Sequence, residues 1–489
     1  MPLTDRPLPP ADADLRRRQG RAPARRGSRR FLGAFAIVAA ALAALGLAGA
    51  AVTTAQGPRV TRVDVDPDAA VTASGSRIIF TTTQALDDID PEQVTVTPSA
   101  DFTVDTAGRS VGIRFTLPLW DETDYTVRID GVTGRGGGSA ATIEHSFTTP
   151  ALTVYLLQRG ADGDTVFRTG LAGKAAEPVF RHPHIEDFRA TAGHLVFATV
   201  DDERSRLIVT DRDGANEREL PLPGDGIVSG LQSADRGELI GYTFTDADLD
   251  GESGRDSALF TASLDDQAAG DPPLMIERPG GDSRVAEWRF VPDADALLML
   301  TFDGALTLVA SPGAGGTPGD PVALGAAVSI EDIARGSTVA IVDRADGPAT
   351  IDLTTAEESP LAATDPEHGQ ASSVLGLADG STLRALSRLD PSGVTVEQTS
   401  VAVVSQTGDD VRTVFTLGES DALLQVCLAP SNRYAAVVVA PGIVDNPYDG
   451  YLLPLPERVE THIVDLTSAR ETAALRGFDV SWCRTGPRS

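Results

Sequence analysis

An all-β architecture behind one apolar helix is what this sequence predicts, and three observations predict it. Residues Phe31–Thr54 read FLGAFAIVAAALAALGLAGAAVTT without a charge, directly behind the arginine-rich run RRRQGRAPARRGSRR. From 59 to 150 short alternating runs are punctuated by glycine, aspartate and proline, the pattern of an antiparallel β-sandwich. From 151 to 489 a looser strand-rich unit recurs every 35–55 residues, a period that belongs to propeller-type arrays.

The first element is set by charge. Residues 1–30 hold nine arginines against Asp5, Asp12 and Asp14, so +9 − 3 = +6. The whole chain carries −29, which leaves −29 − 6 = −35 for residues 31–489. A basic flank beside an apolar helix stays in the cytoplasm, so residues 1–30 read as a disordered cytoplasmic tail. At about 1.5 Å per residue, residues 31–54 reach across a hydrocarbon core of roughly 30 Å. They read as a transmembrane signal anchor, with the bulk of the chain extracytoplasmic. Ala48-Gly49-Ala50 also offers a small-x-small site, so secretion after cleavage near Ala50 stays open. No cysteine lies in this region for a thioether anchor. The acidic remainder argues against nucleic acid, whose phosphates would repel it.

The second element is the sandwich. Candidate strands are Val60–Val65, Arg77–Thr82, Val94–Pro98, Ser110–Phe115, Asp124–Ile129 and Thr142–Thr148. Some ninety residues with short strands at this spacing suit an immunoglobulin-like fold. The order VTRVDVDPDAAVTASGSRIIFTTT, VTVTP, LPLWDETDYTVRIDGVTG and HSFTTP resembles bacterial Ig-like domains of the S-layer type. The resemblance covers residues 59–150 and implies a spacer or adhesion module of an envelope protein. Trp120 and Tyr125 read as core or corner aromatics.

The third element is the array. HLVFATV (194–200), RLIVTDRDG (206–214) and ERELPL (217–222) form one unit. ELIGYTF (238–244), SALFTASL (257–264) and PPLMIER (272–278) form the next, and further copies follow. The pattern, best preserved in LAPSNRYAAVVV and HIVDLTSARE, resembles TolB-like and WD40-like propellers over residues 151–489, although most units lack the W-S-P-D-G turn. TVYLLQRG, TVFRTGLAG and EPVFR (153–181) supply a second, third and fourth strand without a first. The terminal GFDVSWCRTGPRS reads as a first strand with nothing after it. Together they make one blade closed by both ends of the module. Six complete units besides give seven blades, with six or eight open because residues 328–372 repeat weakly.

This register puts Cys427 on the inner strand of the last complete blade and Cys483 on that of the closing blade. The two strands are neighbours, so a disulfide between them is expected outside the cytoplasm, two independently buried cysteines being the plain alternative.

Chemistry is less legible. Asp246, Asp248, Asp250, Glu252 and Asp256 alternate about Gly251 like the start of a calcium loop. Position twelve, however, is Ser257 and no helices flank the loop, so a solvated acidic loop is the plain alternative to Ca²⁺ binding. The insertion Gly442–Glu460 leaves the same face, and Asp445, Tyr448, Asp449 and Tyr451 are its candidate ligand-facing residues. His182-Pro-His184 reads as a turn. No catalytic triad elbow, zincin, phosphate-loop or dinucleotide motif is present, no cofactor is implied beyond that Ca²⁺, and no catalytic residue is nominated. The reading is a membrane-anchored extracytoplasmic scaffold of a GC-rich Gram-positive (actinobacteria-like) envelope. Its partner would be a protein or a cell-wall polymer. The alternatives are a hydrolase or lyase using carboxylates in the propeller channel, and a passive spacer.

Overall fold

The computed structural model describes residues 28–55, 57–249, 254–268, 270–278, 280–310 and 320–487. The expected tail 1–30 therefore lies almost wholly outside the described residues.

Helix α1 spans Ser28–Ala55. Its side chains are described over 31–47 only and are exposed throughout, Phe31 and Leu47 each at 72%. Among the described residues no helix is long and apolar enough to cross a membrane. The stretch expected to span, 31–54, runs past the last described side chain of α1.

Seven strands follow: β1 Val60–Val65, β2 Arg77–Thr82, β3 Val94–Thr97, β4 Phe102–Ala107, β5 Ser110–Phe115, β6 Asp124–Val132 and β7 Ala141–Thr148. They form two antiparallel sheets, β1-β2-β5-β4 and β3-β6-β7. Side chains alternate between core and solvent, as the period of two requires; β5 buries Val111, Ile113 and Phe115, and β6 buries Tyr125, Val127 and Ile129. One core lies between the sheets. The sequence expectation lacks β4. Its FTVDTA is half Thr and Asp and its side chains are nowhere fully buried, so the apolar signal of an edge strand is weak. The Tyr125 hydroxyl accepts a hydrogen bond from the Trp120 amide at 3.0 Å, pinning the turn that enters β6.

Beyond Pro150 the described strands make one three-stranded and six four-stranded antiparallel sheets. The first is Thr153–Gln158, Asp164–Gly170 and Glu177–His182. The inner strands of the others are Ile185–Ala190, Gly226–Ser233, Val285–Phe290, Ser329–Ile333, Gln370–Gly376 and Ala422–Leu428. Successive inner strands pack side by side, and the last sheet shares two hydrophobic cores with the first. This is β-propeller architecture. The weak stretch 328–372 holds a full sheet, Ser329–Ile333, Val339–Arg344, Gly347–Asp352 and Glu358–Pro360. Its final strand ESP is exposed throughout, which is why the repeat fades there.

Both ends of the module meet, with less strand than expected. Leu157 and Phe478 exchange amide–carbonyl bonds, both 3.0 Å, and the Ser481 amide donates to the Tyr155 carbonyl at 3.0 Å. After this short pairing the chain turns, the Cys483 amide bonding the Val480 carbonyl at 2.7 Å. Cys427 and Cys483 are joined in a disulfide with Cα atoms 5.5 Å apart. Cys427 sits on its inner strand, whereas Cys483 lies in the turn rather than in a strand.

The sandwich is seated on the propeller. Antiparallel pairing puts every first-to-second connection of the sheets on one face and every second-to-third connection on the other. Asp121, before β6, accepts from the Tyr434 hydroxyl at 3.0 Å and pairs with Arg433 Nη1 at 3.4 Å. Arg433 also stacks over Trp120, 5.2 Å from the ring centroid. Ser74 donates to Asp293 at 2.6 Å, and Gly336 lies so close to Leu117 that a Cβ there would sit 2.9 Å from it. These partners lie on first-to-second connections or, for Tyr434, at the strand end that adjoins one, so the sandwich covers that mouth. Asp121→Ala removes the acceptor of the buried Tyr434 hydroxyl and is expected to cost about 1–3 kcal/mol. Calorimetry should then resolve a separate, earlier transition for the sandwich; one unchanged transition would refute the docking role.

Candidate functional site

The two regions open to chemistry are the central channel and the face opposite the sandwich. Inner-strand residues point charged groups into the channel, and the chain's own terminal segment lies across it. Arg484 pairs with Asp235 at 3.2 Å and Asp332 at 3.3 Å, and donates to the Ile333 carbonyl at 2.6 Å. Arg335 pairs with Asp235 at 2.9 Å and donates to the carbonyls of Trp482 and Leu428 at 3.1 and 2.9 Å. Gln425 donates to the Thr485 carbonyl at 2.6 Å. On the far wall Arg189 pairs with both Asp187 and Asp479 at 2.7 Å, and its Nε donates to the Arg484 carbonyl at 3.2 Å. Residues 482–486 thus tie inner strands on opposite sides of the channel. Beside them a cavity of about 310 Å³ remains, lined by Arg289, Arg335, Asp332, Gln425 and Arg484 among others.

The carboxylates there are occupied. Burial pushes the Asp235 carboxyl up, but Arg335 and Arg484 outweigh it and hold it at about 2. Asp187 goes the other way: burial raises its carboxyl well above the usual range against the pull of Arg189, and Asp479 adds repulsion. Asp235 carries a testable sign. Its folded-state value lies below the ordinary aspartate value of 3.8, so its contribution is complete above pH 4 and is lost as pH falls from about 4 towards 2. The shift corresponds to about 2 kcal/mol. Urea midpoints between pH 5 and 2 should drop less in Asp235→Asn than in the wild type; parallel curves would contradict it.

The acidic loop is spent largely on arginine. Asp246 pairs with Arg255 at 2.6 Å, and its Oδ2 takes the Arg255 amide, also at 2.6 Å. Those hydrogen bonds hold its carboxyl low. Asp256 pairs with Arg284 at 3.7 Å, Asp248 is exposed, and Asp250 and Glu252 lie outside the described residues. Among the described residues no group of three metal-ligating side chains converges.

The insertion 442–460 is divided. Asp449 and Tyr451 face inward, contrary to their expected ligand-facing role. Asp449 pairs with Arg159 at 2.8 Å, and the Tyr451 hydroxyl donates to Asp164 at 2.8 Å. Arg159 stacks 3.8 Å from the Tyr451 ring centroid, and burial followed by the Asp164 bond raises the Tyr451 phenol. Glu186 accepts from the Leu452 amide at 2.8 Å and from His184 Nε2 at 2.6 Å. The insertion is therefore strapped from the last sheet to the first and second. Asp445 and Tyr448 do face outward, Tyr448 at 56% exposure. The channel residues Arg189, Asp235, Arg335 and Arg484 were not nominated by the sequence. For Arg189 the available signal is the density of charge in its inner strand, IEDFRA; Asp235, Arg335 and Arg484 lie beyond strand ends and leave no such trace.

No family model matches this chain, and no curated protein matches it. Among solved structures it is similar to TolB from Acinetobacter baumannii, at 10% identity and TM-score 0.34, over 81% of this chain and 82% of that one. It is also similar to the Cps50 (Swd1) β-propeller domain of Myceliophteria thermophila, at 12% and 0.38, over 60% and 87%. U3-55K stands at 10% and 0.38, over 64% and 96%. Likenesses this distant say nothing of function; the propeller reading rests on the sheets described above.

Proposed function

We propose that the protein is a membrane-anchored extracytoplasmic binding scaffold, with an Ig-like module between membrane and propeller and a seven-bladed propeller presenting its free face outward. The observation that carries it is the crossing of the channel by residues 482–486, with Asp187, Asp235, Asp332 and Asp479 already paired to Arg189, Arg335 and Arg484. Carboxylates engaged in this way are poorly placed for the acid–base work of a hydrolase or lyase.

The Ig-like reading is supported by the strand order β1-β2-β5-β4 against β3-β6-β7, which is the seven-stranded constant-type order. The Tyr125 bond to Trp120 corresponds to that fold's tyrosine corner. The anchor reading is supported by the charge-free stretch 31–54 and the nine arginines before it. Strand β1 runs from residue 60 towards the end of the sandwich where Ser74 meets Asp293 of the propeller; in this reading the anchor enters from the opposite end. The free propeller face then points away from the bilayer.

Expression of the full chain, followed by carbonate extraction of membranes and N-terminal sequencing, tests this. Retention in the pellet with residues 1–30 intact is expected. Release, or a mature start after Ala50, would overturn the anchor.

A further inference from the structure

The tip of the insertion 442–460 departs from the ordinary distribution of side chains in a surface loop, while Leu455 and Val459 behind it are buried in the core. Three of its polar groups are spent inward: Asp449 on Arg159, the Tyr451 hydroxyl on Asp164, and Asn446 Nδ2 on the Arg458 carbonyl at 2.8 Å. Four of its apolar groups are turned out: Val444 is 90% exposed, Tyr448 56%, Leu452 52% and Leu453 42%. The backbone beneath them is fixed by Glu186, which takes the Leu452 and Leu453 amides, and by Asp449, which takes the Leu455 amide at 3.0 Å.

Apolar side chains held in water on a rigid support keep a desolvation gain in reserve and need little further ordering on association. That combination marks the anchor positions of protein interfaces. The surrounding charge narrows the partner. Glu419, Asp445, Glu457 and Glu460 are exposed around the tip, against the exposed Arg458 on the insertion and Arg476 across the strand from Glu460. Such a rim repels an anionic lipid surface and attracts a cationic one.

We propose that this tip is a docking site for a polypeptide segment in which apolar side chains alternate with lysine or arginine. The site rests on the binding reading above and names where on the free face, and by what chemistry, binding occurs.

The test uses the full chain in uncharged detergent. A labelled peptide of about fourteen residues alternating leucine and lysine, and its leucine/glutamate counterpart, are titrated by fluorescence anisotropy. The triple variant Val444→Ser, Tyr448→Ser, Leu452→Ser changes exposed side chains only and should melt as the wild type does. Wild type should bind the lysine peptide, the glutamate peptide should bind at least tenfold more weakly, and the triple variant should lose about tenfold. Equal binding by the triple variant overturns the proposal, as does equal binding of the two peptides. A control variant, Phe302→Ser with Val328→Ser, changes two other exposed apolar residues of the same face, at 58% and 67%. Loss there instead of at the insertion sinks this site while leaving the binding reading standing. A concentration-dependent dimer that the triple variant abolishes would name a second copy as occupant, and would likewise overturn the proposal.

Discussion

Asp479→Asn should lower unfolding free energy by about 3 kcal/mol, the low end of what breaking a buried ion pair costs. Asp479 and Arg189 are each 1% exposed, and both Asp479 oxygens lie 2.7 Å from Arg189 Nη1. The backbone at Asp479 is left-handed, with φ 58°, a conformation asparagine tolerates and alanine resists. The asparagine variant therefore removes charge without adding strain. Asp187 remains beside Arg189 at 2.7 Å, which keeps the loss from being larger. It also predicts a secondary effect: with Asp479's repulsion gone, the raised Asp187 carboxyl should move back down, visible by carboxyl-resolved titration. The double variant Arg189→Met, Asp479→Asn removes both charges while keeping a residue that tolerates the left-handed backbone, and should recover part of the loss, because desolvation of an ion pair offsets most of its attraction. Urea unfolding measures both. If the double variant is no better than Asp479→Asn, the ion-pair account fails and packing is what matters at this position.

What the sequence made legible follows from which forces leave a periodic trace. Strands such as His194–Asp201 and Tyr434–Ala440 were readable because their apolar runs are unbroken, both faces of a middle strand being covered by neighbouring sheets. Edge strands β4 and Glu358–Pro360 bury little and leave no apolar trace in the sequence for that reason. The disulfide is legible from the neighbouring positions of Cys427 and Cys483 at the seam together with an oxidising compartment, although Cys483 lies in a turn and not on the expected strand. The candidate site was the least legible part. Asp449 and Tyr451 looked like free loop residues, yet Arg159 and Asp164, nearly three hundred positions earlier, turn them inward. No local pattern encodes that meeting, because it exists only after the last sheet has closed upon the first. The same holds for Asp121 and Tyr434, which join sandwich to propeller across 313 positions. The sequence suggests a spacer; the contact makes it a cover over one mouth.

Cys427→Ser with Cys483→Ser is expected to cost about 4 kcal/mol, from the chain entropy that a cross-link spanning 56 residues removes from the unfolded state. The location adds a local consequence. Residues 478–481 hold the first sheet by only a few backbone bonds, and residues 482–486 cross the channel directly beyond them. With the cross-link absent, this segment is retained chiefly by Arg484, Arg335 and their aspartates, with Gln425 and Arg189 bonding its carbonyls. Its release should therefore become dependent on pH in the double variant. Near pH 7 Trp482, 7% exposed, should remain buried and its fluorescence unshifted. As pH falls from about 4 towards 2, protonation of Asp235 weakens its pairs with Arg335 and Arg484, and the emission should move to the red before global unfolding. The wild type, with the covalent tie intact, should show no such early phase. Trp120 and Trp288 are distinguished by repeating the titration with Trp482→Phe in the double-variant background, which should abolish the early phase. An equal melting temperature for wild type and double variant would refute the stabilising role. An early phase of equal size in both would refute the division of labour, in which the disulfide holds the seam and the ion pairs hold what lies beyond it.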